Sequence, residues 1–409
     1  MTFKKPSFCH LFLTLVGAIF VGGCSDDDSG NAGEASKEDE PLYVMMSQVY
    51  DTSDRTIFYP VSNTLDPSEP VTLEGTHQEP SVANLQAAGG KVLVSSGLSP
   101  RVTSYTVDDD FNWIEGGSIN FSSYGLPEDG ANFYNQFVQS DEAITLVEWG
   151  TFDRIVWNPS TMKVIGEFTD TTVPDAPMDL LWSNGGNRAD IQYPNGVRQV
   201  FSTGGELLTH EVSQLVVYDK ETFVEDAVVE LPCGGLGIAT MDEAGNAYYS
   251  PYQDVGVPYL FGLGPKPCVA RVDADLDVET IDISEITGGY YGGNLRYLKD
   301  GYALAVVLRH DRFEGDYDYE SGVFDEGIWD EVDLASSWEL WLLDLDAGTG
   351  EPIEGISQYY PQTEVIDGRA FVMVPDFDAG TTTIYELIDG KLEKHLEAEG
   401  DVFKWVRVR

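Results

Sequence analysis

Three histidines, a short run of alternating acids and a scatter of asparagines and arginines are the residues of this 409-residue chain that could do chemistry. Imidazole is a common metal ligand and titrates near neutrality, so His77, His210 and His310 suggest a transition-metal site if the fold brings them together. The alternative for each is a satisfied structural histidine. Asp316, Asp318 and Glu320 alternate as ligands of a hard cation do, because every second side chain can turn toward one Ca²⁺. The run is no EF-hand: Ser321 stands where the sixth position requires glycine, and Gly327 where the twelfth requires glutamate. A looser calcium site and a solvated acidic loop are the two readings left. Asn84, Asn135, Arg198, Asn294 and Arg296 are suited to hydrogen-bonding a polar ligand, and the two arginines to engaging an anion. Tyr252 and Trp329 offer aromatic faces from long loops. No G-x-S-x-G elbow, H-E-x-x-H helix or P-loop occurs. Among 70 acidic residues a carboxylate pair identifies no glycosidase either, so no residue is assigned a catalytic role.

Composition narrows the classes. The formal charge is -47, from 23 Lys+Arg against 70 Asp+Glu, which argues against nucleic acid and against an anionic membrane surface, since both need clustered cations. With 42% hydrophobic and 12% aromatic residues the chain still has ample material for a core.

The elements that must position the candidates follow a repeat of about fifty residues. A polar strand, a Gly or Asp turn, an apolar strand, a loop, a strand ending in Asp or Asn and a last strand recur near 81–123, 132–170, 192–231, 236–283, 292–354 and 358–397. Second strands are expected at 91–95, 143–147, 206–210, 246–250, 302–306 and 369–373. They follow hairpin turns such as Gly89-Gly90, Gly204-Gly205, Asp300-Gly301 and Asp367-Gly368. A seventh unit comes from the ends: residues 42–75 supply strands, and 402–408 is a lone terminal strand that completes their sheet and hides its edge. The expectation is an all-β, seven-bladed β-propeller of four-stranded antiparallel blades, with six or eight blades as the alternative.

In such a ring the loops after second and fourth strands share one face. His77, in a loop after a fourth strand, and His210 and His310, at the ends of second strands, are expected there; His395 falls near a fourth strand instead. The first strands line the channel and carry Asn84, Asn135, Arg198, Asn294, Arg296 and Gln362. Two long loops belong to the same face: 251–267, with Tyr252, Tyr259, Leu260 and Phe261 reading as exposed, and 310–337, with ten acids among five aromatics. Loops of that length in a compact domain are functional or disordered.

The first segment is read as a targeting signal. Lys4 and Lys5 precede an apolar run at 11–21 that is too short to span a bilayer. It ends in Val21-Gly22-Gly23-Cys24, which resembles the bacterial lipobox and implies lipidation of Cys24. The expected organisation is a lipoprotein signal peptide at 1–23, an acidic flexible tether at 24–41 and the propeller at 42–409. Only Cys233 and Cys268 then remain in an oxidising compartment, where a disulfide between them is the leading reading and two buried thiols the other. The lipobox, the tether, the opening Pro41-Leu42-Tyr43-Val44-Met45 and the loose repeats are together similar to bacterial surface lipoproteins associated with siderophore and iron-uptake systems of myxobacteria. That resemblance implies an outer-membrane-anchored, extracytoplasmic module binding a small ligand, a metal chelate or a partner protein. A propeller enzyme of lactonase, lyase or quinoprotein type is the alternative. Calcium or a transition metal is the cofactor either reading would involve, and Asn84, Asn135 and Asn294 are the nearest match to a lactonase cage.

Overall fold

The computed structural model describes residues 40–51, 54–80, 82–126, 136–147, 153–169, 181–184, 197–204, 209–219, 221–332, 334–354 and 362–409. The expected signal segment, with Cys24, lies outside them. The described residues, from Glu40 to Arg409, form one compact unit. Among the described residues no helix is long and apolar enough to cross a membrane.

The unit is an all-β propeller of small antiparallel sheets. Six sheets have four strands in sequential order: blade 1 (82–120), blade 2 (136–169), blade 3 (181–231), blade 4 (236–281), blade 5 (292–352) and blade 6 (362–399). The expectation of seven four-stranded blades is corrected to six, because the remaining sheet has five strands drawn from both chain ends. In this closing sheet the strand Asp401–Arg407 pairs with Tyr43–Asp51, followed by Asp54–Tyr59 and His77–Pro80. Pro60 has no N–H to donate, and it splits off a short fifth strand, Val61–Ser62, which pairs with the start of Tyr43–Asp51.

Each blade alternates as its place in the ring demands. Second strands are packed on both faces and read as apolar runs: Tyr302–Leu308 is buried from its second residue onward. Outer strands face solvent, and in Glu225–Leu231 only alternate residues turn inward. The hairpins use the expected chemistry. Gly89-Gly90, Asp300-Gly301 and Asp367-Gly368 all have two successive positive φ values, the conformation of the two-residue turn that matches strand twist. At the next hairpin an Asp caps the turn: Asp108 and Asp273 each accept two backbone N–H groups two and four residues on, and Asp219 those two and three residues on. Part of the acidity is therefore turn chemistry.

Side chains carry the contact from blade to blade. Lys404 Nζ donates to Asn84 Oδ1 at 3.2 Å between the closing sheet and blade 1, and Gln86 Nε2 donates to the Gln136 carbonyl at 3.1 Å between blades 1 and 2. The Arg154 guanidinium lies 3.6 Å from the Tyr218 ring centre and donates to the Phe223 carbonyl, joining blades 2 and 3. Leu295 and Tyr297 N–H groups donate to Ser250 and Thr240 across blades 4 and 5. Tyr43 donates to Asp367 at 2.6 Å, tying the closing sheet to blade 6.

Blade 3 departs from the expected register. Its first strand is Leu181–Asn184, its second Val197–Gly204 and its third Thr209–Tyr218. The apolar pair Leu207-Leu208 after Gly204-Gly205 suggested a second strand at 206–210, but that strand is already formed upstream, where Leu181–Asn184 pairs with Val200 to Thr203. Arg198 thus stands on a second strand and not on the channel-lining one, and His210 opens a third strand instead of closing a second.

Candidate functional site: the channel wall and its cap

The channel wall is built from the first strand of each blade and from Asp401–Arg407. Several of these strands carry a bulge near their start: the register shifts between Val82 and Asn84, between Leu236 and Ile238, and between Gly293 and Arg296. A bulge turns one extra side chain out of the ladder. Asn84 occupies one; it is 9% exposed, and its Oδ1 accepts both Leu85 N–H and the Lys404 ammonium. Asn294 occupies another at φ 52°, where asparagine is among the few side chains tolerated, and its buried Oδ1 has no hydrogen-bond partner among the described residues. Gln136, on the blade next to that of Asn84, is fully buried and donates to Ser95 Oγ at 2.9 Å. A cavity of 180 Å³ opens in the wall between blade 6 and the closing sheet, lined by Glu364, Asp367, Lys404, Trp405 and Arg407 among others. Arg296 is half-buried on Gly292–Lys299, and Gln362 half-buried at the start of Gln362–Ile366. Asn135 lies outside the described residues.

Lys404 and Glu364 were not singled out by sequence reasoning. A lysine between Phe403 and Trp405 on the strand expected to complete the terminal sheet was the available signal in a chain this acidic. Asp254 was missed as well. It follows the buried Gln253 in the turn Gln253–Val255, and burial pushes its carboxyl above the usual carboxylate range.

Above blades 4 and 5 the two long loops form a joint cap. Phe261, expected to be exposed, is 1% exposed and packs 5.1 Å from Tyr319 and 5.2 Å from Phe324 of the other loop. Short helices Gly256–Leu260 and Ile328–Val332 bring Val257, Ile328 and Val332 into the same cluster, and Leu260, Leu263 and Trp329 pack against it. Trp329 is 5.8 Å from Phe324, a packing role in place of the expected ligand face. Tyr252 is half-buried, its ring beside Gly237, while its backbone meets Gly293. A disulfide joins Cys233, at the entry to blade 4, to Cys268, at the end of the first loop, as the topology suggested.

The expected metal ligands whose side chains are described do not assemble. Among the described residues no group of three or more His, Cys, Asp or Glu side chains is placed to hold a metal ion. Asp316, Asp318 and Glu320 are exposed, and Asp318 Oδ1 instead accepts the Glu320 N–H within its own turn. Similarly Glu331 Oε1 receives the N–H groups of Glu314 and Gly315. His77 is not in a loop after a fourth strand but opens one, and Tyr59 pairs with it at the far end of Asp54–Tyr59, away from the loop face. Its ring stacks 4.5 Å from Trp113 and sits 3.2 Å from Glu79, whose carboxylate also accepts Tyr105 O–H. His310 is on the loop face between Tyr290 and Tyr291, and burial holds its pKa below the usual value. His210 begins Thr209–Tyr218. Next to His310, Arg309 binds Asp311 and Glu339 and holds the Asp311 carboxyl down to about 2.

No family model matches the chain, nor does any curated protein. In structure it is similar to a putative 6-phosphogluconolactonase from Bacteroides uniformis ATCC 8492, at 13% identity over 90% of this chain and 100% of that one, with a TM-score of 0.51. A putative 6-phosphogluconolactonase from Bacteroides fragilis NCTC 9343 aligns at 12% identity over 92% and 99%, with a TM-score of 0.50. The β-propeller domain of the Trilobed protease from Pyrococcus furiosus aligns at 11% identity over 87% and 92%, with a TM-score of 0.43. At such identities the likeness to the two Bacteroides proteins shows a shared fold and nothing more.

Proposed function

We propose that the chain is a binding module: a capped β-propeller, lipid-anchored through Cys24 outside the cytoplasm at the outer membrane, that captures a small ligand beside an iron-uptake system. The cap carries this reading. Two long loops bury Phe261 and Ile328 on a shared underside, stand on a disulfide and leave acidic side chains outward, which makes a fixed surface at the loop face of the channel. The disulfide suits an oxidising compartment. The anchor and the iron-uptake role rest on the N-terminal resemblance. A net charge of -47 disfavours an anionic ferric tris-catecholate and favours a neutral or cationic ferric trihydroxamate.

The test is tryptophan-fluorescence titration of the purified protein with each ferric chelate, repeated on a variant lacking residues 314–333. Saturable quenching by the trihydroxamate that disappears in the deletion is expected. Quenching by neither chelate would remove iron from the proposal, and quenching unchanged by the deletion would remove the cap.

One observation favours the second reading, a hydrolase acting in the channel. Asn294 Oδ1 is a buried acceptor left open at a wall bulge, as a site that binds and orients a polar substrate requires. Turnover of a lactone panel that Asn294→Ala abolishes would put the enzyme first.

A further inference from the structure

Where the channel-wall strand Asp401–Arg407 begins, a cavity of 140 Å³ lies between blade 6 and the closing sheet, and Gln48, Val49, Phe377, Thr381 and Asp401 are among its lining residues. Asp401 is the first residue of Asp401–Arg407 and pairs with Gln48 across the sheet. Gln48 Nε2 donates to Asp401 Oδ2, while Oδ1 has no hydrogen-bond partner among the described residues. The floor is braced. Gly400, at φ +78°, presses so closely on the next strand that a Cβ there would clash with Ser47 Oγ. Its carbonyl accepts Thr382 O–H at 2.7 Å, and the same hydroxyl oxygen accepts the Val402 N–H at 2.9 Å. The rim is apolar and open: Phe377 is 72% exposed and Val49 37%. A large exposed aromatic ring beside a carboxylate with one unused oxygen is not needed by the blades.

We propose that this cavity binds the primary ammonium group of a small alkylamine, with the head donating to Asp401 Oδ1 and the alkyl stem lying against Phe377 and Val49. A carboxylate takes a charge-assisted hydrogen bond from N⁺–H, an aromatic face attracts a cation, and the stem covers apolar surface. The chain's charge of -47 raises the local concentration of cations further. Asp376 also lines the cavity, but its Oδ1 is engaged by the Asp378 and Ala379 N–H groups of its own turn. Arg55, the near cation, lies over the Phe403 ring. Burial raises the Asp401 pKa, with Gln48 and Arg55 pulling the other way, so the carboxylate gains from a cationic partner. It shares the strand Asp401–Arg407 with the channel wall but uses neither Asn294 nor any residue of the cap, so it stands or falls independently of the function proposed above.

The experiment is calorimetric titration of the full chain with 1,5-diaminopentane, using 1-pentanol as the neutral counterpart. Saturable diamine binding without pentanol binding is expected. It should weaken at least about tenfold in Asp401→Asn and about threefold in Phe377→Ala, and stay unchanged in Glu230→Gln on the exposed outer strand of blade 3. Diamine affinity unaltered by both site variants, or no saturable binding to the wild type, overturns the proposal. Should Asp401→Asn unfold on thermal melting, Phe377→Ala decides alone, and an unchanged affinity there overturns it.

Discussion

The closing sheet and the cap are both places where distant segments meet, yet different forces hold them. At the closing sheet, strands from the two chain ends share a backbone ladder from Tyr43 and Arg407 to Gln48 and Asp401. Trp405, Tyr43 and Met45 are buried against blade 6 in one cluster. Ion pairs lock its rim: Arg369 joins Asp66 to Glu386, and Arg407 reaches Asp367. The cap has no such ladder. It rests on aromatic contacts, a disulfide at its base and carboxylates that tie their own loops. Backbone pairing makes the first region part of the ring's cooperative unit, whereas side-chain packing above a disulfide base gives the second a lower opening free energy of its own.

The strongest test of that contrast removes residues 401–409, which deletes the innermost strand of the closing sheet. Loss of cooperative unfolding throughout is expected by circular dichroism and hydrogen exchange; a wild-type melting curve would break the comparison. Next, Cys233→Ser with Cys268→Ser should cost about 3 to 4 kcal/mol for a crosslink spanning 35 residues, read by denaturant titration. Phe261→Ala should cost about 3 kcal/mol, expressed as faster hydrogen exchange within 309–337 while the closing sheet keeps its protection.

The smaller effects come from pH. Arg369 holds the Asp66 and Glu386 carboxyls below the usual range. Their contribution is complete above the ordinary carboxylate values of about 4 and is lost as pH falls through the lowered folded values. Arg369→Met should abolish that acid dependence, worth about 1 kcal/mol for so exposed a network. Tyr43 is raised to about 12 by burial and by its bond to Asp367. Its share of stability is present below the ordinary value of about 10 and lost as pH rises toward 12, so Tyr43→Phe should flatten the alkaline limb by about 1 kcal/mol.

The ring was legible where local chemistry repeats. Asp300-Gly301 and Asp367-Gly368 announce hairpins because two successive positive φ values favour those residues. The terminal strand was legible because an unpaired edge needs a partner. Blade 3 was misread at Leu207-Leu208, since a short apolar run carries no label saying which strand it serves. His77 reads as a loop residue because the four-residue strand His77–Pro80 is polar, with His77 and Glu79 turned toward Tyr59, Tyr105 and Trp113. The burial of Phe261 depends on Tyr319 and Phe324, some sixty residues away, and no local period encodes that contact. Likewise, Asp318 reads as a metal ligand until its bond to the Glu320 N–H is seen.

The closing sheet also sets an order of events. Gln48 and its partner Asp401 are 353 residues apart, so the strand Tyr43–Asp51 emerges long before the strand that covers its inner edge. At about 5 to 20 residues per second the interval is on the order of 20 to 70 s. During that time an apolar strand containing Tyr43, Val44, Met45 and Met46 has an open edge, a template for pairing with the wrong chain. A chaperone that shields this segment until synthesis reaches Asp401 should therefore raise the yield of folded protein more than one acting on any later segment.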